Sequence, residues 1–283
     1  MNTSVLSATF AHAQRISPYL KAEVGIPHGA DWFPAIAFAR YLDLGVVAQR
    51  QRLRATGAAM LSSALLQAYQ WPVVSTAIAC YILDQRVPDL HLANTTMHLS
   101  ADTEADAVAL HHGRFTALPT DPAAGHPDVA LVADQAALRT TLRTTIEAHL
   151  GPIIEQICDH VGGKARGLWL NVADSCTSTL IWLMQERDPT ITLAEIEAEV
   201  AALIRVPGSP LNNQQIGLIQ LTYQQQTEVF LQRATCCYWY RTEGGDYCST
   251  CPKRTPESRH ERLLNYMAEK QPKPLTTDYE VAA

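Results

Sequence analysis

The chain has 283 residues, 47% of them hydrophobic and 18% charged, with a net charge of −6 and a pI near 5.9. That length buries a substantial core, as one large domain or two small ones. The acidic balance argues against a nucleic-acid or anionic-membrane partner, and the longest apolar run, residues 71–83, is broken by Pro72, Ser75 and Thr76 and is too short to span a bilayer.

Residues 2–22 have moderate helical character. Ala11-His12-Ala13 imitates a signal cleavage site, but no Lys or Arg precedes Arg15, so no signal peptide is expected. Residues 24–29 break the pattern, and Asp31 can cap the helix that follows. Residues 34–69 are rich in Ala, Leu, Gln and Arg, which lose little on becoming helical. Gly57 divides them into two helices. A third is predicted over 73–85, ending before Pro88 because proline disfavours helical backbone at the residue before it.

The pattern then turns to strands. Residues 90–99 alternate in places with period two, and residues 107–110 and 114–118 flank His111-His112-Gly113 as a hairpin. Residues 119–127 are a loop, and 129–132 one more strand. The expected sheet is small and antiparallel. From Asp134 helices return: 136–150, then 152–161 with Pro152 in its first turn, stopped by Gly162-Gly163. Residues 169–187 form another, with Leu180, Leu183 and Met184 at core spacing. Thr192 opens the next, with Glu195 placed for a capping box. Residues 207–213 are a loop, 216–231 lead into the cysteine motif, and the tail 270–283 is expected to be flexible.

That motif is Cys236-Cys237, ten residues, then Cys248-x-x-Cys251-Pro252. Four soft thiolates suit zinc or an iron–sulfur cluster rather than magnesium or calcium. Gly244-Gly245 in the middle permits a turn that brings Cys237 back towards Cys248. The adjacent first pair does not form a standard zinc knuckle, and the plant-type ferredoxin spacing is not matched. A cluster, structural zinc, and a disulfide or unrelated thiols stay open on spacing alone. Cys80, Cys158 and Cys176 stand in apolar helical surroundings and read as small buried hydrophobes. His111-His112 has no carboxylate or cysteine spaced to complete a metal site. Trp169 reads as a core residue and Asn171 as a helix-initiating one. Gly162-Gly163-Lys164 lacks the rest of a phosphate loop, and no dinucleotide fingerprint follows a strand. If the thiols hold an iron–sulfur cluster, its electrons must come from an external donor, such as a ferredoxin or flavodoxin system.

The cysteine spacing, with Arg233 ahead of it and an aromatic, Gly-Gly filling, resembles the FhuF-type ferric-siderophore reductases. Leu168-Trp169-Leu170-Asn171-Val172-Ala173 is similar to that family's Leu-Trp-Gly-Asn-Val-Ala segment, shared with siderophore synthetases, with Leu170 where a glycine usually stands. The resemblance implies a cytoplasmic protein in which Cys236, Cys237, Cys248 and Cys251 hold a 2Fe–2S cluster. It implies one-electron reduction of Fe(III) in a siderophore of hydroxamate type, with no catalytic residue beyond the cluster. The expected fold is α+β and mainly helical. It divides into a helical region 1–88, a sheet followed by helices at 89–232 that is similar to siderophore synthetases, and the cluster motif at 233–262. The alternatives are a structural zinc scaffold and a siderophore-biosynthesis homologue.

Charge is uneven. Residues 233–262 hold six Lys or Arg against four acids, a local +2 within a chain of −6. Lys253 and Arg254, directly after the last cysteine, are expected to raise the cluster potential and steer an acidic donor. Glu257, Arg259, Glu261 and Arg262 read as decoration of a solvated helix. Tyr238, Trp239, Tyr240 and Tyr247 read as a wrapping of the cluster.

Overall fold

The axis of the fold is α3 (Ala58–Asp84), a helix of small and apolar residues buried on nearly every side. The computed structural model describes residues 4–54 and 57–270. Around α3 pack α1 (Val5–Ile16), α2 (Ala39–Leu53), α4 (Gln135–Val161) and α5 (Ala165–Arg187), and one continuous core runs from Leu6 to Leu231. The fold is α+β and mainly helical, as expected.

Two prolines do not divide the helices as the sequence predicts. α3 passes through Pro72, joining the end of the 34–69 stretch to the helix predicted at 73–85, and α4 passes through Pro152. Each proline costs one backbone hydrogen bond, and burial of the flanking turns against neighbouring helices outweighs it. The break at Gly57 stands. Thr192 and Glu195 form the predicted capping box that opens α6 (Leu193–Ile204). Between α4 and α5 the chain turns through Gly162 and Gly163 at φ of +78° and +118°, and a Cβ on Gly163 would lie 2.7 Å from Ser62 Oγ on α3. That glycine pair is therefore a point of close helix approach.

The predicted hairpin around His111-His112 is not formed. β5 (Ala105–Leu110) pairs with β4 (Thr95–Leu99) antiparallel and with β1 (Ala22–Val24) parallel, and β2 (Trp32–Pro34) edges β4. β6 (Phe115–Ala117) belongs to a second sheet, antiparallel to β3 (Arg86–Pro88) and parallel to β7 (Val129–Leu131). The link crosses between sheets because Asn94 holds it: its Oδ1 accepts the His112 N–H at 2.9 Å and its Nδ2 donates to the His112 carbonyl at 3.2 Å. His111 pairs with Thr96 Oγ1 at 2.7 Å. The small sheet of the sequence reading is thus two mixed sheets. Arg86 fastens the loop after β6, with Nε and Nη2 donating to Asp121 at 2.8 and 2.9 Å and Nη1 to Thr9 Oγ1 at 2.9 Å.

A hairpin absent from the sequence reading, β8 (Gly217–Tyr223) and β9 (Gln226–Gln232), carries the chain to the cysteines, with Gln224 at φ of +54° in its two-residue turn. Helix α7 (Pro256–Lys270) closes on it through Leu221, Leu263 and Met267. Beyond Lys270, the tail predicted to be flexible lies outside the described residues. Among those described, no helix is long and apolar enough to cross a membrane.

At the centre of the body, His149 donates from Nδ1 to the Leu90 carbonyl at 2.6 Å and accepts the Tyr69 hydroxyl on Nε2 at 2.8 Å. Burial pushes its pKa down from 6.5 to about 4, so it is neutral in the folded chain. The unfolded chain binds the proton first, so this contribution is complete above pH 6.5 and is lost as pH falls from there towards 4. Its full size is about 3 kcal/mol. Urea unfolding at pH 7 and pH 4.5 should therefore show a smaller acid loss in His149→Gln than in the wild type. Equal losses would rule His149 out as the source.

Candidate metal centre

Strand β9 delivers the chain onto α5, where Arg233 anchors it. Arg233 Nε donates to Asp174 Oδ2 at 3.0 Å and Nη2 to Asn171 Oδ1 at 3.2 Å. Asp174 and Asn171 are both almost fully buried. Asn171 is not a helix-initiating residue, because α5 begins six residues earlier; it holds the guanidinium from mid-helix and itself donates to the Gly167 carbonyl. Burial raises the Asp174 carboxyl above its ordinary value, against the pull of Arg233. Trp169 is half-buried against the main core, as expected.

Directly after this anchor come the first two thiols. Tyr238 takes the left-handed region at φ of +62°, uncommon for a residue with a side chain. Its N–H points to Cys236 Sγ at 3.4 Å. Across the ten-residue loop, the neighbouring Cys248, the Trp239 N–H and the Arg233 charge pull the Cys237 thiol below its ordinary value, to about 5. Cys237 and burial in turn raise Cys248. Cys236 and Cys251 lie within electrostatic range of one another. Among the described residues no three His, Cys, Asp or Glu side chains close on a single ion position. Burial raises the thiol pKa of Cys80, Cys158 and Cys176, pushing Cys176 to about 12, and all three lie among helices away from the motif.

The second pair is gripped by arginines. Cys251 N–H bonds the Cys248 carbonyl at 3.0 Å, closing the C-x-x-C turn. Arg254 Nε donates to the same carbonyl at 3.0 Å, and its Nη groups reach the Tyr247 carbonyl, Asp246 and Ser258. Arg259 donates to the carbonyls of Cys251 and Arg254 at 3.1 and 3.2 Å. Arg259 is buried, so its reading as solvated decoration is corrected: it fixes the last cysteine from inside. Arg254 is likewise committed to the loop, which leaves Lys253 as the exposed cation after Cys251. The aromatic residues do not enclose the motif as expected. Trp239 is 47% and Tyr247 36% exposed, while the rings of Tyr240 and Tyr247 meet tilted, with centroids 4.8 Å apart.

A cleft of about 1480 Å³ opens beside the motif, between α3, α5, the β8–β9 hairpin and α7. Ser249 and Thr250, the residues between Cys248 and Cys251, line it, as do Asn171 and Arg233. One signal for the cleft lay unread in the sequence, the polar face of α5 carrying Ser175, Ser178 and Trp182.

The chemistry of the donor set fits an iron–sulfur group: four thiols on one loop, backbone N–H groups turned towards sulfur and a cation at hand. A helical body with a C-terminal thiol loop is an arrangement that can hold a soft metal centre. Two family models match the chain: FhuF, described as ferric iron reductase FhuF-like transporter, over residues 63–198, and the FhuF 2Fe-2S C-terminal domain over residues 233–253. Together they cover more than half of it, and the chain belongs to the FhuF-like ferric iron reductases, with a 2Fe–2S cluster as cofactor. The zinc-scaffold and biosynthetic alternatives give way to that assignment. No curated protein matches the chain significantly.

The loop between the thiol pairs depends on Gly245, where a methyl group would overlap the Trp239 carbonyl oxygen and Thr242 Oγ1. Gly245→Ala should strain the loop by about 1–3 kcal/mol and lower the iron and sulfide recovered per chain. Gly125→Ala, with nothing within 4 Å of its new methyl, is the neutral control. Equal iron contents would remove the loop's tight turn from the requirements of the site.

Proposed function

We propose that Cys236, Cys237, Cys248 and Cys251 ligate the cluster, that residues 233–262 act as its module, and that the protein reduces Fe(III) in a hydroxamate siderophore. The observation that carries this reading is that Cys237 and Cys248 lie beside Arg233, on the loop that borders a weakly charged cleft. When bound, the cluster supplies single electrons, and the chelated Fe(III) is the substrate that becomes Fe(II), which hard oxygen ligands hold far less well. Arg233 lessens the cost of keeping thiolate charge in a partly buried place. Arg254 and Arg259 fix the backbone of Cys248 and Cys251, so the loop keeps its shape when its charge changes. No acid, base or nucleophile is needed.

Charge favours hydroxamates. Five charged side chains line the cleft: Arg233 is matched by Asp174, Lys270 by Glu228, and Glu186 accepts the Trp182 indole N–H. Three hydroxamates neutralise Fe(III), whereas three catecholates leave a trianion that finds no unpaired cation there. The electron donor is external, a ferredoxin or flavodoxin system, because the sequence carries no nucleotide fingerprint. A reducing compartment, the cytoplasm, keeps such thiols available.

Iron and sulfide should each approach two per chain, and Ser in place of any of the four cysteines should deplete or shift the spectrum. Reduced protein mixed anaerobically with ferric desferrioxamine should be reoxidised, with Fe(II) appearing in a colorimetric trap. Absence of reoxidation by every siderophore class would end the reductase reading.

Lys253→Gln should flatten the salt dependence of reduction by an acidic donor, an effect screened over about 10 Å at 0.1 M salt. An unchanged salt slope would show this lysine to be incidental.

A further inference from the structure

The cleft beside the cysteine motif does more than flank it. Its volume of about 1480 Å³ exceeds the roughly 300–1,000 Å³ of most small-molecule pockets, so it suits a bulky ligand. Trp71 of α3 and Trp182 of α5 line it, and both are half-buried. Two indoles left partly open in one cavity offer apolar surface to a ligand without net charge.

Gln70 points to a ligand independently. It is 6% exposed, it lines the cleft, and its Oε1 has no hydrogen-bond partner among the described residues. Leaving such an acceptor unmade costs about 1–3 kcal/mol, and an N–H group brought by a ligand would recover it. Trihydroxamates joined by amide linkers carry such groups. The wall formed by Ser249 and Thr250 is the ligand loop itself, so whatever fills the cleft comes within one residue of Cys248 and Cys251.

Resting on the reductase reading, we propose that this cleft docks the intact ferric chelate against Trp71 and Trp182, with a linker N–H on Gln70 Oε1 and its iron facing the Ser249–Thr250 link. The cluster held by the cysteines would give one electron to Fe(III), which becomes Fe(II); the cluster, left oxidised by one electron, would be reduced again by the external one-electron donor.

Gallium(III) desferrioxamine tests this without redox chemistry, since Ga(III) matches Fe(III) in charge and is not reduced. Its affinity for oxidised holoprotein is measured by calorimetry for the wild type, Ser178→Trp and Gln67→Trp. Both substitutions put bulk into the cleft from exposed positions. The expected result is a loss of tenfold or more in each variant. Their visible spectra and their reoxidation by ferricyanide should match the wild type, which shows them folded and loaded. Undiminished gallium-chelate binding in both loaded variants would overturn the dock. So would a wild type that is reoxidised by ferric desferrioxamine but does not bind the gallium chelate. A wild type that neither binds the gallium chelate nor is reoxidised by ferric desferrioxamine would overturn the dock, and absence of reoxidation by every other siderophore class as well would overturn the reductase reading with it.

Discussion

The site depends on one buried ion pair. Arg233 sits on Asp174 and Asn171, two nearly inaccessible residues in the middle of α5. Removing one partner from such a pair leaves an uncompensated charge in the interior and costs roughly 3–5 kcal/mol. The pair adds little to the stability of the helices beyond what apolar packing would supply. Its value is positional, since it fixes where the strap leaves β9 and so where Cys236 and Cys237 begin. The same guanidinium faces the thiols on its other side, which ties the register of the strap to the electrostatics of the sulfurs.

From that anchor outwards, the cysteine loop is held by its backbone more than by its side chains. Arginines take the carbonyls of Tyr247, Cys248, Cys251 and Arg254, and backbone N–H groups turn towards sulfur on the other limb. Gln185 works in the same manner on the hairpin. Its amide exchanges two hydrogen bonds with the Val229 backbone, at 2.7 and 3.1 Å, as a neighbouring strand would. That seals part of the edge of β9 and seats the hairpin on α5. A side-chain amide thereby occupies an edge that would otherwise offer pairing to another chain.

Much of this was legible before any coordinates. The cysteine spacing announced a soft-metal site, the Thr192 and Glu195 pair announced a helix start, and Gly57 announced the boundary between two helices. The errors share a cause. Pro72 and Pro152 are helix breakers by local rule, and only packing on several sides tells that the rule is overridden. Asn94 decides that β5 and β6 part company, yet it stands some way from both in sequence. Arg259 lies in a helix whose neighbours by sequence are mostly charged, so nothing local distinguished a buried arginine from a solvated one. Interactions between distant segments set all of these outcomes, and single-sequence patterns report mainly on near neighbours.

The placement of Arg259 also bears on the order in which the protein is made. The carbonyl of Cys251 is held from α7, which follows the motif in the chain, whereas Arg233 is received by α5, which precedes it. During synthesis the helical body emerges with its half of the socket already formed, since domains fold from the N-terminal side as they appear. The last thiol gains its brace only after α7 has been released. A ribosome stalled before residue 259 would therefore hold a folded body with an unbraced cysteine loop.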